Sequence, residues 1–533
     1  MFPSRSIEHL ERVIVDSMSS TANGIMDKTN GEEFVRYLKR YDAHKRQMRD
    51  LKMEDIIPIS EGEGIQITPQ REEIEESDPN QPFIESMGAP PPPAPKQKKK
   101  EGQQTIPCLA YNQINACPDD MNLTHELLNK LVILKLNGGL GTTMGCKGPK
   151  SAIEVRNSLS FLDLAVRQIE FLNTKHGVDV PLILMNSFNT DEETKRVVSK
   201  YAKRHVSIRT FVQSKFPRCD KTTMTPVTTE KFSHDTRGLW YPPGHGDVYA
   251  ALARNGLLQH LISMGKEYIF ISNIDNLGAT VDLNILYHLM ENDYKFCMEV
   301  TKRERQDISG GTLVELHGKP VLLEKYALPK VLGDNIRRDK RFDKFNTNNI
   351  WVNLREMQRL VSVHKSLNLQ VIVKEKMTTF PNGTEAPCLT FLTAAGAAIS
   401  LFDDVCVVSV PRERFLPVKT TDDLFAVQSD LFTVKHGTLH LSEKRTITPR
   451  VPTVKLGPCF KTVDEYMQRL PFGVPDIIDL EHLTVSGSVS FRNRIQLKGT
   501  VIIVAEEGSH IDICSGSSIR DKVMTGNLRL NDL

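Results

Sequence analysis

From residue 131 onward, short apolar runs alternate with stretches of helical period, and this alternation limits the possible folds more than any other feature of the chain. Residues 131–136 form an apolar run of strand length. Residues 161–173 place Leu162, Ala165, Ile169 and Leu172 on one helical face. Residues 180–185 and 206–212 read as further strands, with a charged helix at 191–203 between them. Residues 268–272 make another strand, followed by a helix near 282–290. Strands and helices in this order predict an α/β fold, with a mostly parallel sheet covered on both faces. Ligands of such sheets sit beyond the carboxyl ends of the strands. Chemistry is therefore expected just after Leu136, Val212 and Ser272.

At 533 residues the chain is long enough for two or three folded units. Residues 30–53 have a helical pattern. Asn30 and Glu33 have the spacing of a capping box, and Phe34, Leu38 and Tyr41 share a face. Composition then shifts. Acidic residues 72–78 lead to Gly88-Ala89-Pro90-Pro91-Pro92-Pro93-Ala94-Pro95 and then Lys98-Lys99-Lys100. Few apolar residues, a proline run and a charge run predict a disordered or semi-rigid tether; a docking peptide for a polyproline-binding domain is the alternative. Short β-rich pieces at 483–487, 497–502 and 511–513 have no helical period and predict a small β-helix or stack of turns. Its open edges favour association with a copy of itself. The expected units are a helical segment at 1–55, a linker at 56–120, a catalytic domain at 121–435 and a C-terminal β domain at 436–533.

Charge excludes two classes of partner. Sixty-eight lysines and arginines against 66 acids leave a net charge of +2, so neither nucleic acid nor membrane is expected as the main partner. The nine cysteines are scattered and include no CxxC pair, which predicts neither a disulfide framework nor a zinc site and points to a reducing, cytoplasmic compartment. No apolar leader and no membrane-spanning run is expected.

The densest chemical signal follows the first strand: residues 137–150, Asn-Gly-Gly-Leu-Gly-Thr-Thr-Met-Gly-Cys-Lys-Gly-Pro-Lys. Glycine lets backbone N–H groups approach an anion closely, and lysine supplies point charge for a triphosphate. The loop is no Walker A motif, because Lys150 follows Pro149. Nor is it the dinucleotide fingerprint, because Met144 stands where the third glycine belongs.

This loop resembles the signature loop of the eukaryotic UTP–glucose-1-phosphate uridylyltransferases, also called UDP-glucose pyrophosphorylases. Further stretches match that family in order: Leu184-Met185-Asn186-Ser187-Phe188-Asn189-Thr190, Trp240-Tyr241-Pro242-Pro243-Gly244-His245-Gly246-Asp247 and Ser272-Asn273-Ile274-Asp275-Asn276-Leu277-Gly278. Phe345-Asn346-Thr347-Asn348-Asn349 and Arg414-Phe415-Leu416-Pro417-Val418-Lys419-Thr420-Thr421 follow. The resemblance runs from about Leu128 to the end. It implies a Rossmann-like nucleotidyltransferase domain on a mixed sheet, followed by a left-handed β-helix. It implies that UTP and glucose 1-phosphate give UDP-glucose and pyrophosphate, for glycogen and glycoconjugate synthesis, with Mg²⁺ as cofactor and a homo-octamer built through the C-terminal β-helix.

Roles follow from the same resemblance. Leu136, Asn137, Gly138 and Gly139 would contact the nucleotide, the two glycines approaching both base and sugar. Lys150 would bind the triphosphate, and Gln213 would offer a donor and an acceptor to the uracil edge. Gly244 would touch the nucleotide and His245 the sugar phosphate. Asn273, Ile274, Asp275 and Asn348 would line the sugar side. Asp275 would hold the magnesium, with Lys150 adjacent to it through the phosphate. Lys419 would meet the phosphates from the far side and, with Lys150, serve as the catalytic pair. Leu392-Thr393-Ala394 stands where the family usually has Glu-Thr-Ala, and the stretch around 60–120 does not resemble it.

Read from residue chemistry alone, Asp275 at the end of an apolar strand suits a hard oxygen ligand, or else a turn or cap. His245 between glycines is open to a ligand, or is a turn residue. Lys419 is a phosphate contact or a solvated lysine, and Asn346, Asn348 and Asn349 are sugar contacts or turn formers. Two rival functions stand beside the main one: the same chemistry on another sugar phosphate, and a non-catalytic relative that binds nucleotide or assembles through its tail.

Overall fold

The computed structural model describes residues 28–49, 51–59, 61, 108–222, 226–227, 238–304, 307, 310–324, 328–364, 367–379 and 383–526. The acidic run at 72–78, the proline run and the lysine run lie outside the described residues. An eleven-stranded mixed sheet forms the centre. Eight of its strands follow the order Cys108–Ala110, Val405–Ser409, Phe296–Lys302, Lys344–Asn353, Tyr268–Asn273, Leu131–Asn137, Leu182–Asn186 and Ile208–Val212. The last four of these include the strands expected from the apolar runs, and they pair in parallel from Tyr268–Asn273 to Ile208–Val212.

Both faces of the sheet are buried because alternate residues feed different cores. Leu131 and Ile133 enter one core with Phe161, Leu162, Ala165 and Ile169; Val132, Leu134 and Leu136 enter the other with Tyr249, Leu252 and Met357. Each such side chain contributes about 1.5–3 kcal/mol on full burial. The helix Phe161–His176 starts on a capping box, in which Ser160 accepts the Asp163 N–H at 3.2 Å and Asp163 accepts the Ser160 N–H at 2.9 Å.

Along this eight-strand order, one strand departs from the expected parallel pattern. Lys344–Asn353 runs antiparallel to both neighbours, Tyr268–Asn273 and Phe296–Lys302. Asn346, Asn348 and Asn349 lie inside it and are buried, although their composition suits a turn. Buried partners make this possible: Asn349 donates to the Glu299 carboxylate at 3.0 Å, and Thr347 donates to the Glu299 carbonyl at 2.7 Å. The register shifts opposite Glu299 and Val300, and Asn348 takes φ 59° at this bulge.

The N-terminal helix spans Lys28–Arg49. Asn30 is within it rather than capping it, and its carboxamide oxygen accepts the Lys215 N–H at 3.2 Å. The stretch expected to be a linker enters the sheet at both ends. Ile56–Pro58 pairs with Thr312–Leu316, and Cys108–Ala110 pairs with Val405–Ser409. Each is only three residues long, too short for its apolar pattern to stand out.

Toward the C-terminus, Thr453–Leu456, Leu480–Ser486, Gln496–Val504 and Ser518–Thr525 lie side by side in parallel, in register Leu483↔Val501↔Lys522. Ser488–Phe491 and His510–Ile513 make a second parallel pair. No helix connects them from Leu480 onward, so the chain coils back on itself at each turn. The coil shares a hydrophobic core with the large sheet: Phe161, Leu424 and Phe425 belong to the same cluster as Phe460, Tyr466, Leu480 and Ile503. Asp422, in the first turn of the helix Thr421–Gln428, and Asp430, just past its end, accept the backbone N–H groups of Leu456 and Ile477, both at 2.9 Å. Among the described residues, no helix is long and apolar enough to cross a membrane.

A shared core predicts shared unfolding. Phe460→Ala, which empties a fully buried site at the junction, is expected to cost about 3–5 kcal/mol and to shift a single calorimetric transition. Two separate transitions, of which only one moves, would show that the coil folds independently.

Candidate active site

Asp275 lies just past the carboxyl end of the strand Tyr268–Asn273 and is buried. Its Oδ2 accepts the Lys150 ammonium at 2.7 Å and the Lys419 ammonium at 2.7 Å, and its Oδ1 accepts Lys419 again at 2.8 Å. The two lysines arrive from opposite parts of the chain. Lys150 ends the glycine-rich loop, which folds back so that the Lys150 N–H donates to the Gly139 carbonyl at 3.2 Å and Leu140 bridges Pro149. Lys419 ends a segment docked on the Asp275 turn, where the Val418 N–H donates to the Asp275 carbonyl and the Leu277 N–H to the Leu416 carbonyl, each at 3.0 Å.

Electrostatics follow from burial. Desolvation pushes Asp275 upward, but the Lys419 and Lys150 charges outweigh it and hold the carboxyl below its ordinary range. Burial of the Lys150 ammonium outweighs the attraction of Asp275, with Lys419 adding repulsion, so its pKa falls below that of an ordinary lysine. Lys419 is half exposed, which leaves its charge facing the opening. One carboxylate thus sits between two ammoniums that an incoming anion can draw away.

The nucleotide side is shaped by close approach. A Cβ at position 138 would sit 2.1 Å from the Gln213 Nε2, so any other residue there has to displace the Gln213 carboxamide. Gln213 follows the strand Ile208–Val212, and its Oε1 is buried without a hydrogen-bond partner. Space is open at Gly139, where a Cβ would meet nothing within 4 Å. Ser187 and Thr190 donate to the carbonyls of Gly138 and Asn137, at 2.8 and 2.9 Å, and hold the loop from behind. The Asn137 side chain turns away from the opening and donates to Asn186 and Thr194. Leu136 and Ile274 are core residues, linked by a bond from the Ile274 N–H to the Leu136 carbonyl. What these two can offer a ligand is therefore backbone.

On the other side, Asn348 donates to the Asn273 Oδ1 at 3.0 Å, while its own Oδ1 is buried without a partner. Gly244 takes φ 89°, and a Cβ there would sit 2.5 Å from the Thr393 carbonyl. His245 follows and is half-buried, and its Nδ1 accepts the Ala395 N–H at 2.9 Å. That bond assigns the ring proton to Nε2. Burial, aided by the fields of Lys419 and Lys374, lowers its pKa to about 4. Leu392 packs beside Phe34 and Tyr37, and its Cβ lies against Gly244, so the wall there is apolar.

Sequence reasoning missed the support beneath the site. Lys135 is buried in the strand Leu131–Asn137 and donates to Ser272 and to the Ala279 carbonyl at 2.9 and 2.8 Å, bracing the Asp275 turn. Arg414 grips Glu299 with two bonds of 2.8 and 2.6 Å, and its carbonyl accepts from Asn276 and Asn349. A lysine inside an apolar strand is one visible signal, and Arg414 and Asp247 stand in the matched motifs with no role assigned to them. Asp247, buried and joined to the Ser214 N–H at 2.6 Å, ties the His245 loop to Gln213's neighbour.

Among the described residues, no group of three His, Cys, Asp or Glu side chains could cage a metal. Asp275 offers the carboxylate of the cluster. That suits magnesium, which is commonly held by one or two carboxylates together with substrate phosphates.

The chain is similar to known proteins over most of its length. The family described as UTP–glucose-1-phosphate uridylyltransferase matches residues 95–498. The chain is 48% identical over 437 residues to UTP–glucose-1-phosphate uridylyltransferase 2 of Dictyostelium discoideum, covering 80% of this chain and 85% of that one. It is 48% identical over 422 residues to the Saccharomyces cerevisiae UTP–glucose-1-phosphate uridylyltransferase, covering 79% and 82%. Among solved structures, it is similar to the UDP-glucose phosphorylase of Trypanosoma brucei, with a TM-score of 0.76, 31% identity and coverage of 97% and 99%. The UDP-glucose pyrophosphorylase of Leishmania major gives a TM-score of 0.76 at 27% identity, with the same coverage.

The His245 imidazole is expected to stay neutral until about pH 4 in the free protein, with its proton on Nε2. An unfolded chain takes up that proton near the ordinary value of 6.5. The residue's contribution to stability is therefore complete above pH 6.5 and is lost as pH falls toward 4. NMR of isotope-labelled histidines reads both the midpoint and the tautomer; a midpoint near 6.5 contradicts the lowered value.

Proposed function

The chain belongs to the UTP–glucose-1-phosphate uridylyltransferase family, and on that premise we propose that the Lys150–Asp275–Lys419 cluster is where it works. It is a nucleotidyltransferase that joins UTP and glucose 1-phosphate to give UDP-glucose and pyrophosphate. The observation that carries the assignment is the convergence of two ammoniums on one buried carboxylate beyond the carboxyl ends of parallel strands.

A phosphate oxygen of glucose 1-phosphate attacks the α-phosphorus of UTP, and the bond from that phosphorus to the bridging oxygen breaks, releasing pyrophosphate with the electron pair. The attacking oxygen is already an anion, so no general base and no covalent enzyme intermediate are needed. Catalysis is positioning plus neutralisation of charge. Lys150 and Lys419 exchange Asp275 for phosphate oxygens and stabilise charge developing on them. Backbone N–H groups around Gly138 and Gly139 approach the nucleotide, and Gln213 presents its carboxamide to the uracil edge. Neutral His245 donates through Nε2 to the sugar phosphate, while Asn348 and Asn273 offer amides to sugar hydroxyls. Magnesium, when bound, polarises phosphate oxygens, and Asp275 is the residue that would hold it, with Lys150 alongside.

The same reading extends to the rest of the chain. The parallel C-terminal coil is read as a left-handed β-helix, and its outer strand Ser518–Thr525, which exposes Val523, as an assembly surface for an octamer. The particle mass in light scattering decides that reading. Nine free thiols suit a reducing compartment, here the cytoplasm.

Pyrophosphate release with UTP and a panel of sugar phosphates tests the function; no turnover with glucose 1-phosphate would refute it. In that assay Lys150→Ala and Lys419→Ala are each expected to lose about 2–4 kcal/mol of transition-state stabilisation. Activity is expected to vanish on chelation of divalent metal, and Asp275→Asn to stay strongly impaired at saturating Mg²⁺. Near-normal turnover in both lysine variants, or a fully active Asp275→Asn, contradicts the assignment.

A further inference from the structure

The N-terminal helix Lys28–Arg49 precedes the residues 95–498 that match the family, yet it is packed directly behind the candidate site. Phe34, Tyr37 and Leu38 are buried against Phe216, Tyr241 and Phe391. Phe34 lies 5.1 Å from Phe216 and 6.0 Å from Phe391, and Tyr37 lies 5.0 Å from Phe216, between ring centroids. Packing of this kind alone would make the helix a plain structural brace.

Polar contacts give it more. The Tyr37 hydroxyl meets the Thr393 hydroxyl at 2.9 Å in a buried hydrogen bond. Thr393 closes the strand Glu385–Thr393 and lies against the Gly244–Gly246 loop on two fronts. Its N–H donates to the Pro243 carbonyl at 2.9 Å, and a Cβ at position 246 would sit 2.4 Å from its Oγ1. Two residues on, the Ala395 N–H holds the His245 Nδ1. Residues 393–395 therefore splint the loop that carries His245. A second tie reaches the other side of the pocket. Asn30 accepts the Lys215 N–H, and the adjacent Ser214 N–H is held by Asp247 of the His245 loop.

We infer that Tyr37 is a positioning residue for the sugar-phosphate half of the reaction, acting through Thr393 on the loop that presents His245. The inference rests on the assignment of that loop to the sugar phosphate. Tyr37 touches no substrate in this scheme. Its hydroxyl selects the orientation of the Thr393 side chain, and Thr393 sets how close the glycine-flanked loop lies to the strand. The whole aromatic ring is needed for packing, but only the hydroxyl for positioning, so the two roles can be separated.

Tyr37→Phe keeps the ring and removes the hydroxyl. In the full-length protein it is expected to raise the KM for glucose 1-phosphate about three- to tenfold, the scale of one buried hydrogen bond. The kcat, the KM for UTP and the melting temperature should change little. Thr393→Val should reproduce the effect, Thr393→Ser should restore near-parental values, and the double variant Tyr37→Phe/Thr393→Val should be no worse than either single one. His245→Ala serves as the reference for the loop itself. If it raises the KM for glucose 1-phosphate while Tyr37→Phe does not, the tyrosine has no positioning role and the site assignment stands. If His245→Ala leaves that KM unchanged, both fall. Parallel losses in the two KM values and in melting temperature for Tyr37→Phe would mark a packing defect and overturn the proposal. Should Thr393→Val fail to fold, the Tyr37→Phe result decides alone.

Discussion

A buried carboxylate shared by two ammoniums is the interaction on which the site depends. Desolvation disfavours the charge on Asp275, and the charge persists because Lys150 and Lys419 surround it. Each lysine must be delivered by a separate piece of chain. The folded-back glycine loop brings one, and the segment docked along Asn276 and Leu277 brings the other. Loss of either lysine would leave the buried carboxylate with a single counter-charge, so the loop, the strand end and the segment are held in one arrangement. The same arrangement leaves positive charge ready for phosphate.

Beneath this cluster is a second polar layer that keeps it in place. Glu299 is fully buried and is met by Arg414, Asn349 and Trp351. Asn276 joins the Arg414 carbonyl and Asn349 to the turn that carries Asp275. Such a network is stable only when its members are satisfied, and here it rigidifies the floor of the pocket. The coil adds support from outside: at Gly145 of the glycine loop, a Cβ would sit 2.6 Å from the Thr462 side chain. That contact and the shared core mean that the C-terminal part braces the loop, rather than hanging from the sheet as a remote module.

Much of this was legible in the sequence, for identifiable reasons. Strand Leu131–Asn137 and its parallel neighbours announce themselves through apolar runs, and the rule for ligand position then finds the glycine loop, Gln213 and Asp275. Lys344–Asn353 did not, because its asparagines suit a turn when read alone and become strand residues only with Glu299 beneath them. Asn30 has capping spacing, but its partner is Lys215, far away in the chain. Thr393 stands in the Leu392-Thr393-Ala394 match, but nothing local shows its partners, Tyr37 and the glycine-flanked loop. Contacts between distant segments decide these cases, and periodicity is blind to them.

The central claim is that the two ammoniums leave Asp275 for substrate phosphates. The structure of the protein with UTP and a non-reacting analogue of glucose 1-phosphate tests it most directly. Lys150 and Lys419 are expected on phosphate oxygens, with the uracil against Gln213 and the sugar phosphate against His245. Phosphates bound elsewhere, with both lysines still paired to Asp275, would contradict it.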